Sequence, residues 1–188
     1  MQSEQNVWED ENLIKTLKNG GVAVMPTDTL YGIVGQALTT DTVERIYKLK
    51  KRAPDKPCIV LIGDISELEK FAINFSEGHK KVINNFPTPT SFILDCPNDK
   101  FSYLHRGTKT LAFRIPTQME LQNLLKETGP LIAPSANPEG LSPALNIEEA
   151  KTYFSDSVNM YVDGGEITGK ASKVIKLHKD GSITILRE

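Results

Sequence analysis

Only two cysteines, three histidines and one tryptophan occur in 188 residues. Cys58 and Cys96 lie far apart and belong to no C-x-x-C pair, so two reduced thiols are expected in place of a disulfide or a metal ligand set. His79, His105 and His178 are equally scattered, and the spacing of a structural zinc site is absent. No stretch approaches the ~20 consecutive apolar residues of a membrane span. Met1 to Asp10 is polar and acidic, unlike a secretory signal with its basic start and apolar middle, so the expected location is cytoplasmic. Positive charge is not in excess either: 22 Lys and Arg stand against 24 Asp and Glu, a formal net charge of -2. That balance excludes a broad basic surface for salt-dependent nucleic-acid binding, and any contact with RNA must be local. The G-x-S-x-G elbow of a serine hydrolase and the G-x-G-x-x-G dinucleotide fingerprint are missing as well.

What is present suits one domain covering residues 1–188, since 39% hydrophobic residues over this length supply a substantial core. Leu13, Ile14 and Leu17 fall at helical spacing before Gly20-Gly21, and Val22 to Met25 then reads as a buried strand ending at Pro26. Asp41 and Glu44 have capping-box spacing ahead of a helix whose apolar stripe is Val43, Ile46 and Tyr47. Lys50, seven positions after Val43, falls at the end of that stripe. Cys58 to Ile62 is a second buried strand, followed by a short helix from Ser66 with Glu69 in the capping position. Ser91 to Leu94 and Thr110 to Phe113 add strands. Thr117 with Glu120 opens a helix carrying Leu121, Leu124 and Leu125, closed at Gly129-Pro130 and followed by extended Leu131 to Ala133. Asn146 with Glu149 starts another helix, and Met160 to Val162 is a strand. Asp180-Gly181 is the turn of a hairpin between Val174–Leu177 and Ile183–Leu186. Helices alternate with strands but hairpins also occur, so the fold class is α/β with a mixed parallel and antiparallel sheet.

Several constellations could carry chemistry. Pro26-Thr27-Asp28-Thr29-Leu30-Tyr31-Gly32 follows a buried strand with three hydroxyls and a carboxylate, and should deliver polar groups into a pocket. Gly164 to Ala171 meets most of the phosphate-loop pattern, but Ala171 replaces the hydroxyl that holds magnesium and a strand, not a helix, follows; a glycine-rich surface loop is the plainer reading. Lys48, Lys50, Lys51 and Arg52 form the densest positive cluster. A solvated helix face would account for it, yet Lys50 is on the apolar stripe and the cluster leads into a buried strand, so part of it should face a cleft suited to phosphates. Arg114 shares a strand face with Thr110 and Ala112 and needs an anion, either an internal carboxylate or one from a ligand. Ser135 and Asn137, at the end of the Ala133-Pro134 strand, read on spacing alone as turn formers.

Taken together, Pro26 to Gly32, Lys50-x-Arg52, Thr110-x-x-x-Arg114-x-Pro116 and Pro134-Ser135-Ala136-Asn137, in that order, resemble the YrdC-like threonylcarbamoyl-AMP synthase family over residues 10 to 187. The resemblance implies a twisted mixed sheet flanked by helices, with a concave, positively charged cleft, in the single-domain form. It also implies synthesis of threonylcarbamoyl-adenylate and pyrophosphate from L-threonine, bicarbonate and ATP, with Mg2+ accompanying the nucleotide and no metal held by the protein itself. A separate transferase would then place the group on tRNA beside the anticodon, and direct tRNA contact would be weak. Carried over by position, Lys50 and Arg52 are the catalytic cations. Lys50, Arg52, Lys56, Thr110, Ser135, Asn137, Ser142 and Arg187 surround ATP, and Thr29, Arg114, Ala133 and Ser172 surround threonine. Thr88 stands where the family often has glycine, which should reshape the 86–89 loop. A competing reading is a non-enzymatic RNA-binding or ribosome-maturation module that uses the Lys48 to Arg52 cluster, but no aromatic stacking platform lies beside it in the sequence.

Overall fold

The structure, a computed structural model, describes residues 6–86 and 89–188. The Thr88 expectation lies outside them. In chain order come α1 (Glu11–Lys18), β1 (Ala23–Pro26), β2 (Tyr31–Gln36), α2 (Thr40–Lys50), β3 (Ile59–Leu61), α3 (Glu77–Asn84), β4 (Thr90–Asp95) and α4 (Ser102–His105). They are followed by β5 (Thr110–Arg114), α5 (Met119–Thr128), β6 (Leu131–Ile132), α6 (Ile147–Phe154), β7 (Met160–Tyr161), β8 (Lys173–Leu177) and β9 (Ile183–Arg187). Among the described residues these strands make one sheet in the order β7-β1-β2-β6-β3-β5-β4-β8-β9. It is mixed, as the hairpins and helical crossovers require. β1 with β7, β3 with β5 and β4 with β8 run parallel, and the other neighbours are antiparallel.

Period-2 alternation divides each central strand between two cores. On one side of the sheet Val24, Tyr31, Ile33, Val60, Ile132, Phe92, Phe113 and Ile175 join Val43 and Ile46 of α2, Leu104 of α4 and Phe154 of α6. On the other side Ala23, Met25, Val34, Leu61 and Leu131 pack with Leu13 and Leu17 of α1 and Leu121, Leu124 and Leu125 of α5. That second core reaches only the half of the sheet from β7 to β3. The same face of β5, β4 and β8 carries half-buried Thr110, Ala112, Ile93 and Val174, together with buried Arg114, and among the described residues no helix closes over it. A hollow on the sheet surface results.

Helix starts differ from the expected caps in three places. α2 begins at Thr40 after Thr39, and α5 at Met119 after Gln118, neither with a side-chain cap. The segment expected as a helix from Ser66 is a 3-10 turn over Ile65–Phe71, capped by Asp64, whose carboxylate accepts the Ser66 N–H. Capping-box spacing alone does not secure the bond, because the Ncap residue must also be extended and its side chain free to turn back. The Asn146 cap of α6 does form, on the Glu149 N–H.

Candidate active site

The hollow is a cavity of about 590 Å3, within the usual range for small-ligand sites. β5 supplies Thr110, Ala112 and Arg114 to its floor, and Ala171 and Ser172, just before β8, and Arg187 at the end of β9 close one side. Thr27, Thr29, Leu30, Tyr31 and Gly32 come from the turn between β1 and β2, and Ala133, Pro134 and Ser135 follow β6. Arg52, Pro57 and Cys58 complete the wall. Among the described residues this lining holds three arginines and no Asp or Glu.

The β1–β2 turn is rigid because its own hydroxyl holds it. Thr27 N–H donates to the Leu30 carbonyl at 3.0 Å, and Thr27 Oγ1 donates to the same oxygen at 2.7 Å while accepting the Leu30 N–H at 3.3 Å. The segment after β6 lies alongside β2: Ile33 N–H donates to the Pro134 carbonyl at 3.0 Å and Ala136 N–H to the Tyr31 carbonyl at 2.8 Å. Thr29 therefore reaches the cavity from the turn and Ser135 from the extended segment beside β2.

Arg114 is 4% exposed, and its Nη2 pairs with Asp28 Oδ1 at 2.9 Å. Burial raises the Asp28 carboxyl above its ordinary range even against the opposing Arg114 charge, and burial likewise lowers Arg114. The internal carboxylate is thus present, and the guanidinium also lines the cavity, with its buried Nε lacking a hydrogen-bond partner. A buried donor left over on a cationic group suits a ligand oxygen.

Lys50 is where expectation and structure part. Its side chain is buried, and Nζ donates to the Ser135 carbonyl at 2.5 Å, the Asn137 carbonyl at 2.6 Å and Asn137 Oδ1 at 3.4 Å. The ammonium faces the back of the Ser135 segment and does not line the cavity. Burial, and secondarily Arg52, pull it down to about 8. Lys48 and Lys51 are exposed, so the cluster is divided between solvent, core and cavity and offers RNA no continuous basic face. Arg52 is aimed by Lys51, a left-handed C-cap of α2. Its Nε donates to the Lys56 carbonyl at 3.0 Å and its Nη2 to the Pro57 carbonyl at 2.9 Å.

Lys56, Asn137 and Ser142 also stay out of the lining. Lys56 Nζ pairs with Glu139 Oε1 at 2.5 Å. Asn137 Oδ1 accepts from Ser135 Oγ at 2.6 Å, and its amide holds the Pro138 and Leu141 carbonyls, so it shapes the turn. Ser142 is exposed, although its neighbour Pro143 lines the wall. Ser172 is buried, with Oγ 2.8 Å from Ser91 Oγ, and its carbonyl accepts Arg187 Nε at 3.0 Å and Nη2 at 2.6 Å.

Sequence reasoning counted the Tyr31 hydroxyl in its motif without giving it a role, and missed Glu139. Tyr31 Oη donates to the Gly165 carbonyl and accepts the Gly164 N–H, each at 2.8 Å, which ties the 163–171 loop to the cavity rim. The same loop lies so close to Thr29 that a Cβ on Gly169 would run into the Thr29 carbonyl oxygen.

A half-covered mixed sheet with an arginine-lined hollow on its open face defines an α/β protein with a pocket on its sheet. The chain belongs to the Sua5/YciO/YrdC family, described as "Telomere recombination", which it matches over residues 15–188. It is 36% identical over 152 residues to the threonylcarbamoyl-AMP synthase of Bacillus subtilis, an alignment covering 79% of this chain and 44% of that one. The human threonylcarbamoyl-AMP synthase is 28% identical, with 93% of this chain and 64% of the relative aligned. Among solved structures, Pyrococcus abyssi Sua5 complexed with L-threonine superposes with a TM-score of 0.83 at 26% identity, covering 98% of this chain and 55% of that one. Escherichia coli YciO gives 0.79 at 25% identity, covering 94% and 87%. The chain therefore spans about half the length of the Bacillus and Pyrococcus proteins.

Proposed function

We propose that the protein is an L-threonylcarbamoyladenylate synthase, which joins L-threonine, bicarbonate and ATP with release of pyrophosphate. The observation that carries this reading is the placement of Arg114 with Thr29 and of Arg52 with Ser135 around one cavity, in a family that includes a Sua5 structure complexed with L-threonine. Arg114 takes the amino-acid carboxylate through the guanidinium donors that Asp28 leaves over. Arg52, Thr110 and Arg187 face the nucleotide. Ser172 keeps the Ser91 side of the amino-acid pocket, and the Ala133 backbone borders it.

The chemistry asks little covalent work of side chains. The threonine amine and bicarbonate condense to a carbamate with loss of water, the carbamate oxygen attacks the α-phosphorus, and pyrophosphate departs as the bond between the α-phosphorus and its bridging oxygen breaks. The protein positions these groups and offsets the charge that develops on phosphorus and on the leaving group. Arg52 is the cation for that task. Lys50 acts from behind by fixing the Ser135 to Asn137 backbone. Magnesium enters as part of the ATP substrate; among the described residues no group of three or more His, Cys, Asp or Glu is gathered to hold a metal. In this reading the adenylate passes in the cytoplasm to a separate transferase that modifies tRNA next to the anticodon.

The test is incorporation of radiolabelled bicarbonate into an acid-labile adenylate. Incorporation that needs both ATP and L-threonine supports the reading. Equal incorporation with other small amines in place of threonine would assign the scaffold to a different carbamoyl transfer.

A further inference from the structure

Two irregular segments meet beside the cavity, residues 51–58 carrying Arg52 and residues 134–143 carrying Ser135. Lys50 Nζ ties α2 to the second through the Ser135 and Asn137 carbonyls. Glu139 makes three further links. Its N–H donates to the Lys50 carbonyl at 2.7 Å, its Oε2 accepts the Ala53 N–H at 2.5 Å, and its Oε1 pairs with Lys56 Nζ at 2.5 Å. Arg52 in turn rests on the Lys56 and Pro57 carbonyls, which the same short turn presents.

We infer that Glu139 is a positioning residue for the nucleotide side of the site: by holding the Ala53 N–H and the Lys56 ammonium it fixes the turn whose carbonyls aim Arg52 into the cavity. The inference rests on the ATP reading above and extends it to a residue outside the cavity wall. Its physical basis is directional. An exposed lysine–glutamate pair contributes little by itself, whereas a carboxylate accepting a backbone N–H has a fixed geometry and is charge-assisted. The Lys56 partner and the Ala53 bond hold Glu139 below the ordinary carboxyl range, so it is ionised at neutral pH. A carboxylate facing a triphosphate would repel it. Glu139 is absent from the cavity lining, and its charge is directed at Lys56. This pairing also accounts for Lys56 standing away from the cavity. Tyr47 Oη also donates to the Lys56 carbonyl, at 2.7 Å. Among the described residues, however, Glu139 makes the side-chain ties between the 53–57 turn and the Ser135 segment, and without them the Arg52 guanidinium is held less firmly.

The experiment compares the wild type with Glu139→Ala and Glu139→Gln by ATP titration calorimetry, by separate KM values for ATP and threonine, and by amide hydrogen exchange at Ala53. Expected for Glu139→Ala is an ATP dissociation constant and ATP KM raised about tenfold, equivalent to about 1.4 kcal/mol. The threonine KM should stay within about twofold, with faster exchange at Ala53 and a cooperative melting curve. Glu139→Gln, whose amide oxygen can still accept the Ala53 N–H, should recover most of the ATP affinity. Unchanged ATP binding in Glu139→Ala, equal rises in both KM values, or unchanged Ala53 exchange would overturn the inference while leaving the proposed function intact. A wild-type protein that binds no ATP in the calorimeter would sink the proposed function, and the nucleotide role of Glu139 with it.

Discussion

Arg114 and Asp28 form an ion pair of 2.9 Å whose side chains are 5% and 0% exposed, joining the end of β5 to the turn between β1 and β2. The pair fastens the sheet floor of the cavity to its rim. Removing Asp28 leaves the Arg114 charge uncompensated and largely shielded from water, and Asp28→Ala is expected to lower stability by about 3–5 kcal/mol. Urea denaturation measures this directly. A loss under about 1 kcal/mol, the scale of an exposed pair, would mean that the guanidinium finds solvent or another partner.

Lys50 gives a pH signature. Burial takes its ammonium from 10.5 down to about 8. A folded-state value below the unfolded one means that the native protein releases this proton first. Between about pH 8 and pH 10.5 the unfolded chain then holds more protons, so the stability owed to this group rises with pH across that window and is constant below it. The difference in unfolding free energy between wild type and Lys50→Met should therefore move toward the wild type by roughly 2–3 kcal/mol from pH 8 to pH 10.5. A flat difference would place the ammonium in contact with solvent.

The two cavity arginines should separate in kinetics. Arg52→Ala is expected to reduce kcat about 100-fold, the scale of losing one donor aimed at developing charge, and to raise the ATP KM in the same direction as Glu139→Ala, with pyrophosphate release as readout. Arg114→Ala should chiefly raise the threonine KM, by tenfold or more on the scale of a lost charged hydrogen bond. If both variants shifted the same parameter, the division of the cavity into an amino-acid end and a phosphate end would be wrong.

Much of this arrangement is legible in the sequence wherever a pattern repeats with its own period. The buried runs at Val22 to Met25 and Cys58 to Ile62, the Asp180-Gly181 hairpin and the Asn146 cap all follow from local rules. β2 does not, because Gly32 and Gly35 interrupt its alternation; a Cβ on Gly35 would run into the Thr42 methyl of α2 and press on Ile46, so close helix packing requires the glycine. α3 was not anticipated either, and its cap is a reciprocal Ser76–His79 pair instead of Ser with Glu or Gln. For the site, the strand-end motif with Thr29, the cluster with Arg52 and the strand face of Thr110 and Arg114 are legible from local pattern, whereas Ser135 reads on spacing alone as a turn former and is pointed to only by the family resemblance; all five line the cavity. Lys50 falls on the covered face as its helical phase requires, but phase cannot tell whether the ammonium turns to a ligand or to backbone carbonyls. Glu139 lies far in sequence from Ala53 and Lys56, and only the folded chain reveals the contact.

The 163–171 loop yields the last prediction. It is held at one end by Tyr31 Oη and near its middle by the Ile167 N–H on the Leu145 carbonyl at 2.7 Å. Beyond that point Gly169 passes against the Thr29 carbonyl too closely for any side chain. The obstacle is backbone, which cannot turn aside as a flexible side chain can, so Gly169→Ala must lift the loop or displace the β1–β2 turn. Either movement carries Ala171 and Ser172 or Thr29 away from their places in the cavity wall. The expected outcome is a threonine KM raised about tenfold or more, on the free-energy scale of overpacking. Global stability should fall by about 1–3 kcal/mol, because the loop lies at the rim and reaches the core only through Ile167. Unaltered threonine saturation in a folded Gly169→Ala protein would show that the loop does not shape the amino-acid pocket.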